Sequence, residues 1–175
     1  MIEAGALDGV DAFLMFHYAG DELFGMTVHE GQASSMIGGM EIHIHGKSSH
    51  WCEAEQGIDA IYGASVAAKA IYELNREYKG SGKSLIGIGS IHGGEYANII
   101  ADHVVMKGNI RACKEEDYRR LQKSLKDILK KTEEETGTEI VVREPKPPVF
   151  PFSNDVLLTE AVKKAGKKVF KERFW

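Results

Sequence analysis

Several of the seven histidines stand where the sequence pattern allows an imidazole to do chemistry. His17 follows the apolar run 11–16, which predicts a buried strand, and α/β folds place their sites at the ends of such strands. His17 is therefore a candidate metal ligand or base, or simply a polar residue that ends a buried strand. His43 and His45 alternate with apolar residues, so both rings face one side of a strand and are able to share a zinc ion. No third ligand lies near them in sequence, and we favour a solvated polar face for this pair.

A further candidate is His50, in the sequence Gly-Lys-Ser-Ser-His at 46–50, just after the predicted strand. Small residues before it let the backbone turn closely, and a loop histidine is a better functional candidate than one in a core. Cys52 lies two residues further on, which raises the hypothesis of a Cys/His nucleophile. Neighbouring loop residues rarely have the geometry for that chemistry, so we set the hypothesis aside.

Three more polar residues follow in the middle of the chain. His92 stands beside paired glycines, and we favour a bulge or hairpin turn there over a ligand contact. Asn98, a few residues later, stays a candidate. Arg111 lies on the polar face of a predicted strand, where its guanidinium either clamps a carboxylate in bidentate fashion or is a surface arginine.

Hydropathy periodicity defines the elements that must position these residues. Strict alternation of apolar and polar residues predicts four strands, at 40–45, 85–91, 103–112 and 138–143. On the second strand Ile88 is expected on one face and Ile91 on the other. Apolar residues at helical spacing predict two helices, at 57–78 and 115–136, the second stopped by Gly137. The order β-α-β-β-α-β is the ferredoxin-like plan, an α+β fold in which two helices cover one face of an antiparallel four-stranded sheet.

The two ends of the chain do not belong to that unit. Residues 7–17 contain the apolar strand, and an amphipathic helix with a lysine-rich polar side is predicted at 157–169. One strand and one helix cannot build a second core by themselves. We therefore expect the two ends to be pieces of a larger domain.

Composition excludes several classes of protein. The chain has 175 residues, enough for a domain with its own core, and 43% apolar with 27% charged residues argue against disorder. A formal net charge of -4 argues against a general nucleic-acid binder. Two cysteines make neither a disulfide scaffold nor a four-ligand zinc site. These cysteines, the lack of a membrane-spanning apolar run and the lack of a signal-peptide pattern in 1–10 predict a cytoplasmic location.

Short motifs carry a resemblance to a known family. They are Gly-Lys-Ser-Ser-His at 46–50, Gly-Ile-Asp-Ala at 57–60, Gly-Ser-Ile-His-Gly-Gly at 89–94, Asn-Ile-Ile at 98–100 with Asp102, Gly-Asn-Ile-Arg at 108–111, and Asp-Ala-Phe-Leu-Met-Phe-His at 11–17. Their order and spacing resemble the zinc-dependent aminoacylase and carboxypeptidase family. Its members include hippurate hydrolases, indole-acetyl-amino-acid hydrolases and aminobenzoyl-glutamate hydrolases.

The resemblance implies a metal-dependent hydrolase of N-acyl amino acids or similar amides. In that family a catalytic α/β domain carries two divalent metal ions (Zn or Mn), and a βαββαβ lid inserted into it also forms a homodimer. On that plan 1–36 is a fragment of the catalytic domain, 37–147 is the lid and dimerisation domain, and 148–175 is the return segment and helix.

The resemblance also implies residue roles. His17 matches a metal ligand, and His50 matches the lid histidine that polarises the scissile carbonyl, often across the dimer. Asn98 matches an asparagine that contacts substrate, and Arg111 an arginine near the substrate carboxylate.

The sequence departs from the family in two ways. Ala54 and Ala101 replace common prolines, which loosens two loops. The other metal-ligand motifs and the general base have no counterpart. We therefore expect a fragment that binds neither of those two metal ions stably and is inactive alone.

Two other hypotheses share the βαββαβ plan. One is a free-standing ferredoxin-like module for small-molecule binding or dimerisation, which the apolar ends disfavour. The other is an RNA-recognition domain, which we set aside because 40–45 and 104–111 lack base-stacking aromatics. For the first helix we expect its alanines, Ala64, Ala67, Ala68 and Ala70, to pack against a second copy. We expect no nucleic-acid or membrane partner.

Overall fold

The computed structural model describes residues 2–16, 25–80 and 82–171. The chain divides into two compact units. The larger unit is Ser34–Phe152, and the smaller one combines Met1–Ala33 with Ser153–Trp175.

The larger unit has the predicted α+β fold. Its strands and helices are β1 Met36–His45, α1 Ala60–Glu77, β2 Leu85–Gly93, β3 His103–Ala112, α2 Glu115–Thr136 and β4 Glu139–Arg143. The strands form one antiparallel sheet in the order β2-β3-β1-β4, which places β2 and β4 at its edges. Both helices pack on the same side, and we call the other side the open face.

The core lies between the sheet and the two helices. Alternate residues of β1 are buried, which is the period expected of a strand covered on one face only. The largest fully buried side chains come from both layers: Ile42, Ile44, Ile71, Ile86, Val104, Met106, Leu121 and Thr132.

β1 begins four residues before its predicted start at Met40. The glycines Gly38 and Gly39 hide this extension, because glycine weakens a strand pattern. Gly38 is needed there: a Cβ at this position would lie 1.8 Å from the hydroxyl oxygen of Tyr118, which is buried against the strand.

The predicted facing of β2 is wrong beyond Ile88. A β-bulge between Ile88 and Ser90 shifts the register, so Ile91 lies opposite Met106 on the helix side, the same side as Ile88. The bulge stands close to His92, which is exposed and lies within the strand.

On the same edge strand, the N–H of Ile86 donates to Oδ1 of Asn75 on α1 at 3.0 Å.

Side-chain caps set the start of α1. The helix begins at Ala60 because Asp59 accepts hydrogen bonds from the N–H groups of Ile61 and Tyr62, at 2.8 and 3.2 Å. Ala64 and Ala67 are buried in the core of their own unit, so the expectation that they pack against a second copy is wrong.

α2 ends as predicted. Gly137 adopts a left-handed conformation with φ of 73° and donates to the carbonyl of Glu133.

The smaller unit contains the predicted C-terminal helix, α3 Val156–Phe170, capped by Asp155. Residues 11–16 do not form the predicted strand, and their apolar side chains are exposed, 71% for Phe13 and 73% for Phe16. A buried strand needs neighbouring strands, and the described residues of this unit form no sheet, although Gln32 and Ser153 pair in an isolated bridge. None of the helices in the described part of the chain is long and apolar enough to cross a membrane.

Candidate functional site

The loop that follows β1 is closed at its base by hydrogen bonds between its first and last residues. Lys47 and Ile58 exchange two backbone hydrogen bonds, of 2.8 and 2.9 Å, and Gly46 donates to the carbonyl of Asp102 at 2.8 Å. Gly46 has to be glycine, because a Cβ there would lie 2.1 Å from the carbonyl oxygen of Ile58. These contacts fix the base of the loop that carries His50.

A second loop, between β2 and β3, is tied to the first by backbone hydrogen bonds. Ile100 donates to the carbonyl of Ser49 at 2.8 Å, and Trp51 donates to the carbonyl of Asn98 at 3.1 Å. The two loops therefore bring together His50 and Asn98, which are 48 positions apart in the sequence.

The His50 ring is oriented at both nitrogens. Its Nδ1 accepts a hydrogen bond from the backbone N–H of Cys52 at 3.2 Å, as the N-cap of the 3₁₀ helix Trp51–Gln56. A ring nitrogen that accepts carries no proton, so the neutral ring has its proton on Nε2. Nε2 lies 3.2 Å from the amide nitrogen Nδ2 of Asn98. With the amide turned over, the Asn98 oxygen takes that place and accepts from Nε2–H.

This pair can act on a carbonyl group. His50 and Asn98 are exposed, and so are the neighbouring apolar side chains of Trp51, Tyr96 and Ile99. A donor on Nε2 is able to hydrogen-bond a substrate carbonyl and to stabilise the oxyanion that forms when the carbonyl is attacked. Cys52 contributes its backbone N–H to this arrangement, rather than the nucleophilic thiol considered from the sequence.

The third implied substrate residue lies elsewhere in the unit. Arg111 pairs with Ile37 and Leu85, whereas His103 pairs with His45 next to the His50 loop. The eight positions between His103 and Arg111 on β3 correspond to about 27 Å along a strand. Within one chain, therefore, Arg111 is at the opposite end of the sheet from the His50–Asn98 pair.

His17, the implied metal ligand, lies outside the described residues. Its implied role as a metal ligand therefore stays a prediction.

The structure adds a third histidine to the pair found from sequence spacing. His43, His45 and His103 lie together on the open face, with one ligand nitrogen from each within 4.8 Å of the others. Desolvation and the neighbouring rings of His45 and His43 lower the pKa of His103, so its neutral form is favoured. His103 is 60 positions from His43, and only the β1–β3 register brings the two together.

Comparison with known families settles the class of the larger unit. The sequence matches the family model of the peptidase dimerisation domain (M20_dimer) over residues 33–137, which is more than half of the chain. This chain belongs to the M20 peptidase dimerisation-domain family. The predicted resemblance to aminoacylases and carboxypeptidases is thereby confirmed.

Individual relatives are hydrolases by name. An uncharacterized hydrolase (y4tI) of Sinorhizobium fredii is 32% identical over 130 residues, 73% of this chain and 32% of the relative. The N-acetyl-L-cysteine deacetylase of Bacillus subtilis is 26% identical over 170 residues, 96% of this chain and 41% of the relative.

The fold recurs in a solved structure of the same kind. A putative aminohydrolase from methicillin-resistant Staphylococcus aureus matches with a TM-score of 0.70 and 25% identity, covering 96% of this chain and 45% of that one. The M20 chain described here thus spans less than half the length of these relatives.

Proposed function

We propose that this M20 chain supplies the substrate-covering lid and the dimer interface of a metal-dependent amidohydrolase that cleaves N-acyl amino acids or similar amides. The observation that carries the proposal is the His50–Asn98 pair, which the backbone of a matched dimerisation domain holds with a donor on Nε2. An amide substrate also agrees with the name of the B. subtilis relative, a deacetylase of an N-acetyl amino acid.

His50 has the role of an oxyanion donor in this proposal. With substrate bound, its Nε2–H would turn from Asn98 to the scissile carbonyl oxygen as negative charge develops there, and Asn98 would contact the substrate. Removing one such donor from an enzyme costs about 10²- to 10³-fold in kcat. The exposed rings of Trp51 and Tyr96 would cover the apolar part of the substrate.

The edge strand β2 is the surface that we assign to the dimer. A groove of about 440 Å³ runs between β2 and α1, and its lining includes Ala68, Tyr72 and Ile91. Tyr72 is 61% exposed and Ile91 50% exposed, so both have apolar area left to bury. An edge strand beside an apolar helix face is a surface on which a second copy can continue the sheet.

Such a dimer would also give Arg111 a place in the site. If two β2 strands pair antiparallel about a two-fold axis near their middle, Leu85 of one copy lies near Gly93 of the other. Arg111 is beside Leu85, and Gly93 is at the end of the sheet near His50 and Asn98. The partner's Arg111 would then be about 10 Å, two strand spacings, from Gly93, within reach of a substrate carboxylate.

The rest of the proposal concerns the ends of the chain. We assign 1–36 and 148–175 to a catalytic α/β domain, and 37–147 to the lid. The two divalent metal ions would be bound by that catalytic domain, with His17 as one ligand. The chain alone is therefore expected to hydrolyse no amide.

A lid exchange tests the proposal. Residues 34–152 replace the matching segment of the B. subtilis N-acetyl-L-cysteine deacetylase, and hydrolysis of N-acetylcysteine is measured. We expect the chimera to be active and His50→Gln to lower its kcat by about 10²-fold or more. The matched control is His92→Gln, an exposed histidine of the same unit outside the two loops, which should change little.

Two results would count against the proposal. An active chimera that is unaffected by His50→Gln would remove the assigned role of the histidine. Amide hydrolysis by the 175-residue chain alone would contradict its assignment as a lid without a complete catalytic site.

A further inference from the structure

We propose that His43, His45 and His103 bind one late first-row divalent metal ion, with Zn²⁺ as the probe, on the open face of the sheet. The three side chains come from two adjacent strands. His45 and His103 lie directly opposite each other in the β1–β3 pairing, and His43 is two residues along β1 on the same face. This inference concerns only the larger unit and does not depend on the proposed activity.

The spacing of the ring nitrogens suits a shared ion. Nδ1 of His43 and Nε2 of His103 lie 3.3 Å apart. Two ligands of a tetrahedral zinc ion with bonds of 2.0–2.1 Å are about 3.3–3.4 Å apart, so the spacing of these two nitrogens matches that of two ligands of one ion. The His45 ring centroid is 4.7 Å from that of His103, and one nitrogen of each of the three rings lies within 4.8 Å of the others.

The other nitrogen of His43 supports the same assignment. Nε2 of His43 is buried and has no hydrogen-bond partner among the described residues, and it lies 3.7 Å from a carboxylate oxygen of Glu41. Histidines that bind metal through one nitrogen usually direct the other N–H to a carboxylate, which fixes the tautomer. Glu41 is held as a carboxylate by Lys107, whose ammonium is 2.9 Å away and lowers the pKa of Glu41.

The donor set indicates the class of metal. Imidazoles without a thiolate favour Zn²⁺, Cu²⁺ or Ni²⁺ over Mg²⁺ or Ca²⁺, which prefer oxygen ligands. Three histidines leave a fourth position of a tetrahedral ion for water. The bound ion would link β1 to β3 and so stabilise the sheet.

Calorimetric titration of the EDTA-treated 175-residue chain with Zn²⁺ tests the site. We expect saturable binding of one zinc ion per chain, and a rise in Tm of about 5–10 °C at a hundredfold excess over Kd. His45→Gln and His103→Gln should each weaken binding at least tenfold, and Glu41→Gln by about tenfold through the second nitrogen of His43.

Two control variants separate this site from other histidines. His92→Gln removes an exposed histidine of the neighbouring strand, and His29→Gln removes an exposed histidine of the smaller unit; neither should change the affinity. Zinc-induced shifts of the imidazole nitrogen resonances of the three histidines would support the site in the unmutated chain. Absence of saturable binding, or binding that survives His103→Gln, would overturn the proposal.

Discussion

Ile91→Lys on the β2 edge is expected to dissociate the proposed dimer. Ile91 is 50% exposed in one chain, and full burial of an isoleucine side chain is worth about 1.5–3 kcal/mol. Burial of the exposed half therefore contributes about 1 kcal/mol per copy. A two-fold interface contains the residue twice, so its loss costs about 2 kcal/mol, or a thirtyfold increase in Kd. The two lysine charges introduced at the interface add to this effect.

Sedimentation velocity over a concentration series measures the change. The matched control is Val141→Lys, which places the same side chain on the opposite edge strand, at a residue 38% exposed. We expect Val141→Lys to leave the dimer intact and Ile91→Lys to shift it towards monomer, with both variants folded by circular dichroism. Equal dissociation by the two variants, or none by Ile91→Lys, would refute the assignment of β2 to the interface.

Three further predictions concern stability, each measured by chemical unfolding followed by circular dichroism. Gly46→Ala should lower the free energy of unfolding by about 1–3 kcal/mol, because the added Cβ would collide with the Ile58 carbonyl; no change would mean that the loop has room. Asp59→Ala should cost about 1 kcal/mol through the lost cap of α1, whereas Asp59→Ser should retain most of it. Tyr78→Phe should cost about 1–3 kcal/mol at pH 7, because the Tyr78 hydroxyl donates to the buried carboxylate of Asp117 at 2.9 Å. Burial, and then the hydrogen bond to Asp117, raises the pKa of Tyr78 above its usual 10.0. The stability difference between Tyr78 and Phe should therefore be complete below pH 10 and shrink as the pH rises above it. A difference that does not depend on pH would contradict this explanation.

The order and type of the elements in the larger unit could be read from periodicity, because each strand is buried on one face and each helix on one stripe. The β1 extension could not be read from periodicity, because Gly38 interrupts the alternation of apolar and polar residues. Glycine is needed at that position to leave room for Tyr118 of α2, which is far away in the sequence. The residues before the bulge in β2 keep their regular alternation, so the sequence gives no sign of the bulge. It nevertheless reverses the side of the sheet on which Ile91 lies. The strand expected at 11–16 failed because an apolar run does not by itself supply pairing neighbours.

The candidate site was likewise only partly predictable from the sequence. His50 and Asn98 were found from loop position and family resemblance, but their contact depends on backbone bonds between two loops. The grouping of His103 with His43 and His45 depends on strand register, which places residues 60 positions apart on adjacent rungs. Sequence spacing within one strand identifies only two of the three.

The bond between Asn75 and the N–H of Ile86 bears on how far such a sheet can grow. A long, unprotected edge is a template for aggregation, because every free donor and acceptor can recruit another strand. Here Asn75 already accepts from the N–H of Ile86, so a strand that pairs with β2 loses one backbone hydrogen bond near the start of β2. A dimer can tolerate this loss, whereas an extended fibre built on this edge would lose the same hydrogen bond at every contact between copies.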